Sequence, residues 1–191
     1  MSCLFRGTLA AGLFILSGAD VFAADLKVGD SAPKFAAKDD TGADWKSDDH
    51  VGKKVVVVYF YPADFTGGCT KQACGFRDDL DELSKEGIEV IGVSGDTVET
   101  HAAFKKYHKL NFPLLADEDA KVAEAFGVPF EKGDKTAKAQ IDGKETPFVR
   151  KATIKRWTFV IGKDGKIAAV DKLVNAAEDS KNILKVAKTL K

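Results

Sequence analysis

The chain has 191 residues, of which 45% are hydrophobic and 30% charged, the balance of an ordinary soluble globular protein. Lysine plus arginine and aspartate plus glutamate both number 29, so the formal net charge is zero. No long basic block appears, which argues against nucleic acid as the main partner, and the length suits one domain with a sizeable core.

The first residues stand apart. Arg6 supplies a positive charge, residues 7–18 are small and apolar with Leu9, Leu13, Phe14, Ile15 and Leu16, and Val21, Phe22 and Ala23 follow where a signal peptidase reads. This is the layout of a secretory signal, with an apolar run too short to span a bilayer. The expected organisation is a signal peptide at 1–23 and one domain at 24–191. The protein would then be exported, to a bacterial periplasm, without stable membrane association after cleavage; an uncleaved N-terminus would leave it cytoplasmic. Cys3 would depart with the signal, leaving Cys69 and Cys74.

Residues 33–37 and 44–46 read as two short strands joined by a turn at 39–42. Residues 55–61 form a continuous β-branched and aromatic run, the mark of a strand buried on both faces. A Pro- and Gly-bearing loop follows, and Cys69, Ala73, Phe76, Leu80 and Leu83 then recur at helical spacing, with Cys69 on the core face. Cys74 groups instead with the polar, solvent-facing set Asp78, Asp81 and Lys85. Gly87 ends this helix as a C-terminal cap.

Residues 88–93 form a second buried strand. Asp96 to Glu99 has capping-box form, which predicts a helix over about 97–109. Residues 112–116 read as a short strand, and Asp117 or Asp119 starts a helix that stops at Gly127. The Lys-, Gly- and Asp-rich segment 129–150 reads as a long loop that could hold a hairpin. A strand at 153–161, a tight turn at 163–166, a paired strand at 167–174 and a helix at about 177–190, burying Ile183, Leu184, Ala187 and Leu190, complete the chain. This order predicts an α/β fold of thioredoxin-like type, a central mixed β-sheet flanked by helices. The cysteine loop sits at the carboxyl end of a central strand, where open α/β sheets place their sites.

The segment YFYPADFTGGCTKQAC carries the chemistry. Its loop delivers Cys69 to a helix N-terminus, where unsatisfied N–H groups favour thiolate over thiol. Taken alone, a cysteine on a helix core face is more often an inert small hydrophobe. Pro62, Thr66 and Cys69 fall as P-x-x-x-T-x-x-C, however, and this motif resembles the active site of the peroxiredoxins. The continuation CTKQAC is similar to the bacterioferritin-comigratory (Q-type) subfamily, as are GVSGDTVETHAAFKKY, FPLLADEDAKVAEAFGV and RWTFVIGKDGKI.

The resemblance implies reduction of hydrogen peroxide and organic hydroperoxides by a thioredoxin-dependent peroxidase. Cys69 would be the peroxidatic nucleophile and Cys74 the resolving cysteine. Thr66 would orient the peroxide and hydrogen-bond the sulfur, Pro62 would shield the site from water, and Arg156, placed inside an apolar strand, would hold thiolate and peroxide. It also implies a thioredoxin-like reductant and a monomer rather than a dimer, and it calls for no metal, haem or flavin; His50, His101 and His108 show no ligand spacing. Where the subfamily often has Glu, this chain has Gln72, which keeps hydrogen bonding and loses a charge. Two other readings remain open here. A thioredoxin-type disulfide oxidoreductase would normally carry Cys-x-x-Cys and would give Pro62 and Thr66 no purpose; the other is a redox-inert binding or chaperone module on the same fold.

The cysteine spacing carries a further expectation. On an ideal helix, residues five apart lie about 140° around and about 7.5 Å along, so their Cα atoms are roughly 8–9 Å apart. A disulfide needs about 7 Å or less. The first turn should therefore unwind for Cys69 and Cys74 to bond, with Gly67 and Gly68 easing the movement.

Overall fold

The computed structural model describes residues 25–141 and 143–189. The expected signal at 1–23, Cys3 and Leu190 lie outside them.

In chain order the elements are β1 (Ala36–Asp39), β2 (Asp44–Lys46), β3 (Val55–Phe60), α1 (Gly67–Lys85), β4 (Ile88–Ser94), α2 (Val98–His108) and β5 (Leu114–Ala116). They continue with α3 (Lys121–Ala125), β6 (Phe130–Ile141), β7 (Lys144–Ile154), β8 (Trp157–Ile161), β9 (Ile167–Asp171) and α4 (Asp179–Ala187). Seven strands form one sheet in the order β2-β1-β5-β4-β3-β8-β9. β3 runs parallel to β4, and β4 to β5, whereas β8 lies antiparallel to β3. The sheet is mixed and the fold is the expected thioredoxin-like one.

All six residues of β3 are buried. Val56, Val58 and Phe60 point into one apolar layer with Ile91, Leu115, Phe126 and Phe159. Val57 and Tyr59 point into the other, where Phe76 and Leu83 of α1, Phe104 of α2 and Ile183 and Leu184 of α4 close over the sheet. A strand with both faces covered needs no polar alternation, which is why 55–60 reads as an unbroken apolar run.

Several boundaries differ from expectation. Asp96 does not cap α2. Thr97 does, its hydroxyl accepting from the Thr100 amide at 3.3 Å, because Asp96 is turned inward to Ser94 and the Asp64 amide. Asp117 lies upstream of α3 but accepts from the Val122 and Ala123 amides at 2.9 and 2.8 Å, so it still satisfies orphan donors of that helix. Residues beyond Asp171 leave the sheet, and Leu173 is 93% exposed.

The largest departure is β6 and β7. The segment expected as a long loop that could hold a hairpin is a hairpin over almost its whole length, forming its own two-stranded sheet. It also breaks the strand expected over 153–161. β7 ends at Ile154 paired with β6, and β8 begins at Trp157 paired with β3. Lys155 and Arg156 are the joint where the chain changes sheets. Arg156 is thus not inside a strand.

The base of the hairpin docks on the end of β4, where the Gly95 carbonyl accepts from the Lys151 amide at 2.7 Å. A Cβ on Gly95 would lie 2.3 Å from the Ala152 carbonyl oxygen, a backbone atom with nowhere to go. Gly95→Ala should therefore destabilise the fold by about 1–3 kcal/mol, read as a lower denaturation midpoint at unchanged slope. A change below a few tenths would show that the docking is loose.

Candidate active site

The site begins where β3 runs out. Tyr61 still donates its amide to the Val93 carbonyl, and the chain then turns through Pro62, Ala63, Asp64 and Phe65 to Thr66. Phe65 has φ of +57°, a left-handed conformation costly for a bulky non-glycine residue. Its ring is held by stacking on Phe148 of β7, centroids 4.1 Å apart, and by the edge of Phe104. Thr66 is then extended, at the N-cap of α1.

The Thr66 hydroxyl donates to the Ala63 carbonyl at 2.9 Å. Its one proton is thus committed to the loop and not to the cysteine sulfur, as the resemblance had implied. Cys69, the third residue of α1, is 2% exposed. Its sulfur accepts instead from Nη2 of Arg156 at 3.0 Å. The same guanidinium donates through Nη1 to Oε1 of Gln72, one turn along α1. Nε2 of Gln72 donates to Oδ2 of Asp179 at 2.7 Å, and the Thr158 hydroxyl donates to the same oxygen at 2.8 Å.

Pro62 and Arg156 border an open cleft of about 380 Å³ whose walls include Phe130 and Ile154. A larger hollow of about 470 Å³, around Val55, Glu86 and Ile88, lies at the opposite end of β3, away from the cysteine. Cys74 shares α1 with Cys69 and both are free thiols. It is half-buried, not fully solvent-facing. Burial pushes its thiol up, Arg77 opposes this, and Asp78 adds to it.

Beneath the loop lies a polar cluster that sequence reasoning missed. His101, wholly buried on α2, faces Asp64 Oδ2 through Nδ1 at 2.7 Å and the Leu115 carbonyl through Nε2 at 3.2 Å. Two acceptors on the two ring nitrogens suit the doubly protonated imidazolium. Tyr61 donates its hydroxyl to Asp64 Oδ1 at 2.8 Å, and Asp96 accepts from the Asp64 amide and from Ser94. Burial disfavours the His101 cation, but the charge and hydrogen bond of Asp64 outweigh it and its pKa is raised. Burial, reinforced by Asp64, pushes the Asp96 carboxyl to about 6. The available signal was His101 three positions before the core residue Phe104 on α2, which places it inward.

A sulfur met by a guanidinium at the start of a helix is equipped for nucleophilic redox chemistry, which places the molecule among the thiol-dependent enzymes built on this fold. Residues 28–170 match the AhpC/TSA family. The chain is 46% identical over 147 residues to peroxiredoxin Bcp of Escherichia coli K12, covering 76% of this chain and 85% of the relative. The crystal structure of peroxidoxin BcpB from Mycobacterium tuberculosis is similar at a TM-score of 0.72 and 31% identity, covering 87% of this chain and 99% of that one. The bacterioferritin comigratory protein of Xanthomonas campestris, described for its alkyl peroxide reduction activity, follows at 0.68 and 27%, covering 87% and 98%. The chain belongs to the AhpC/TSA family and is a thiol-dependent peroxidase of the peroxiredoxin type. The disulfide-oxidoreductase and chaperone readings are not favoured.

The buried histidine gives a signed pH dependence. A folded-state pKa above the unfolded value near 6.5 stabilises fully below that value, and the stabilisation is lost as pH rises through the folded one. The stability gap between wild type and His101→Gln should be widest at pH 6 and narrow above about 6.5, measured by urea unfolding. Asp64, Asp96 and Tyr61 are the titratable groups that face His101, and a gap that widens with pH would mean the imidazole is buried neutral.

Proposed function

We propose that Cys69 is the peroxidatic cysteine and Cys74 the resolving one. The observation that carries this is the Arg156 Nη2 contact to the Cys69 sulfur at the start of α1. The Cys69 thiolate attacks the nearer peroxide oxygen; the S–O bond forms, the O–O bond breaks, and the departing alkoxide or hydroxide takes a proton to leave as alcohol or water. Arg156 lies where it can hold both the thiolate and the attacked oxygen, and Thr66 and Pro62 shape and shield the approach. The Cys74 thiol then attacks the sulfenic sulfur, releasing water and forming a disulfide before over-oxidation. A thioredoxin-like dithiol reduces that disulfide.

Hydrogen peroxide and organic hydroperoxides are the proposed substrates, the latter supported by the activity described for the Xanthomonas protein and by the partly apolar cleft beside Arg156. The protein acts as a monomer, exported by its N-terminal signal and served by an exported donor. N-terminal sequencing of the protein from its host tests the export, and a chain that retains Met1 would contradict it.

Both cysteines belong to α1, and their spacing on a regular helix exceeds disulfide reach. The first turns of α1 must therefore open between attack and resolution. Cys69→Ser should abolish peroxide consumption. Cys74→Ser should consume one equivalent and then stall with a thioredoxin donor. Amide exchange over 67–75 should rise on oxidation of the wild type, whereas equal protection in both states would contradict the opening.

A further inference from the structure

We infer that Asp179 is a positioning residue for Arg156, acting through Gln72 and tying the reactivity of Cys69 to the start of the last helix. The inference rests on the reading of Cys69 and Arg156 given above. Its starting point is the chemistry of an amide. Gln72 has one end that accepts and one that donates, and a guanidinium can only donate. Gln72 holds Arg156 only when Oε1 faces it, so Nε2 must find an acceptor on the other side. Asp179 supplies that acceptor and thereby fixes the direction of the amide.

The acceptor is itself built in. Asp179 is 1% exposed, and Oδ2 also receives the hydroxyl of Thr158, two residues after Arg156 on β8. Burial raises the Asp179 carboxyl above the usual carboxylate range, and the hydrogen bonds of Gln72 and Thr158 offset that in part, as does its place in the first turn of α4. The neighbouring Ser180 donates to Asp79 of α1 at 2.7 Å, and a Cβ on Gly75 would come within 3.2 Å of that hydroxyl. This close approach of α1 and α4 brings the carboxylate within reach of residue 72. Where a glutamate at position 72 would put its charge directly on Arg156, this chain places the carboxylate one hydrogen bond further back.

The test follows Cys69 alkylation by iodoacetamide against pH, read at that residue by mass spectrometry, with the rate of peroxide reaction in parallel. Asp179→Ala should move the alkylation profile to higher pH and slow the peroxide reaction about tenfold, the scale of losing a hydrogen bond to a charged group. The direction is decisive. Deleting a buried anion acting on the thiol directly would move the profile to lower pH, and a residue that only supports the fold would lower the melting temperature without moving the profile. Asp179→Asn, which keeps an acceptor for Gln72 and loses the charge, should shift the profile the same way by less, and Asp179→Leu, which keeps the volume and cannot accept, decides the matter if Asp179→Ala does not fold. Gln72→Glu alone sets two carboxylates together and should also be slow. Gln72→Glu/Asp179→Asn restores a single carboxylate and should react faster than either single variant. A profile that stays or falls in the Asp179 variants, or a double variant as slow as the product of the singles, overturns the inference. Wild type without peroxidase activity would overturn the underlying reading instead, while the alkylation profile would still decide this one.

Discussion

The guanidinium of Arg156 meets the Cys69 sulfur through one nitrogen and Gln72 through another, and the layout of the site depends on that division. A planar cation with several fixed donors can grip two partners at once, which an ammonium on a flexible stem does less well. For the contact to form, the arginine must come from outside α1 and the sulfur from its first turn. The fold achieves this by ending β7 one sheet away and starting β8 beside β3, so that the joint between them lies over the helix start. The position of the cation is thus a consequence of topology more than of local sequence.

The other half of the site is a loop held under tension. Phe65 occupies a conformation that its side chain disfavours, and it persists because aromatic rings hold it from the side and the Asp64–His101 pair anchors the backbone from beneath. These supports contact the loop and not α1 itself. Beyond Thr66, where two glycines open the helix, the first turn is held by Arg156 through Cys69 and Gln72.

Much of this was legible from the chain. The strand 55–60 announced itself because both its faces are buried, and α1 because its apolar residues from Cys69 to Leu83 repeat at helical spacing over about four turns. Pro62, Thr66 and Cys69 stand out through their resemblance to the family motif, and Arg156 through its place in a similar segment; the structure brings Arg156 to the Cys69 sulfur. Other features were hidden for physical reasons. The hairpin 130–154 is largely exposed, and the alternation it has falls in β6 on small residues such as Ala137 and Ala139 set among polar ones, too weak a signal to read as a strand. Arg156 was set in a strand because Ile154 and Trp157 flank it with apolar residues, although each belongs to a different sheet. The Asp64–His101 pair spans 37 positions and the Gln72–Asp179 contact 107, and no local pattern reports partners that far apart. Thr66 was given to the sulfur by analogy, whereas the turn at Ala63 claims its proton.

Whether the arginine contact governs the sulfur is tested most directly by the second-order rate of hydrogen peroxide with reduced protein, by stopped flow, in wild type, Arg156→Lys and Arg156→Met. Loss of a placed charge-stabilising donor is worth about a hundredfold or more in rate. Arg156→Met should fall by that much, and Arg156→Lys should fall between the two because it keeps the charge and loses the second grip on Gln72. A methionine variant within about threefold of wild type would contradict the central claim.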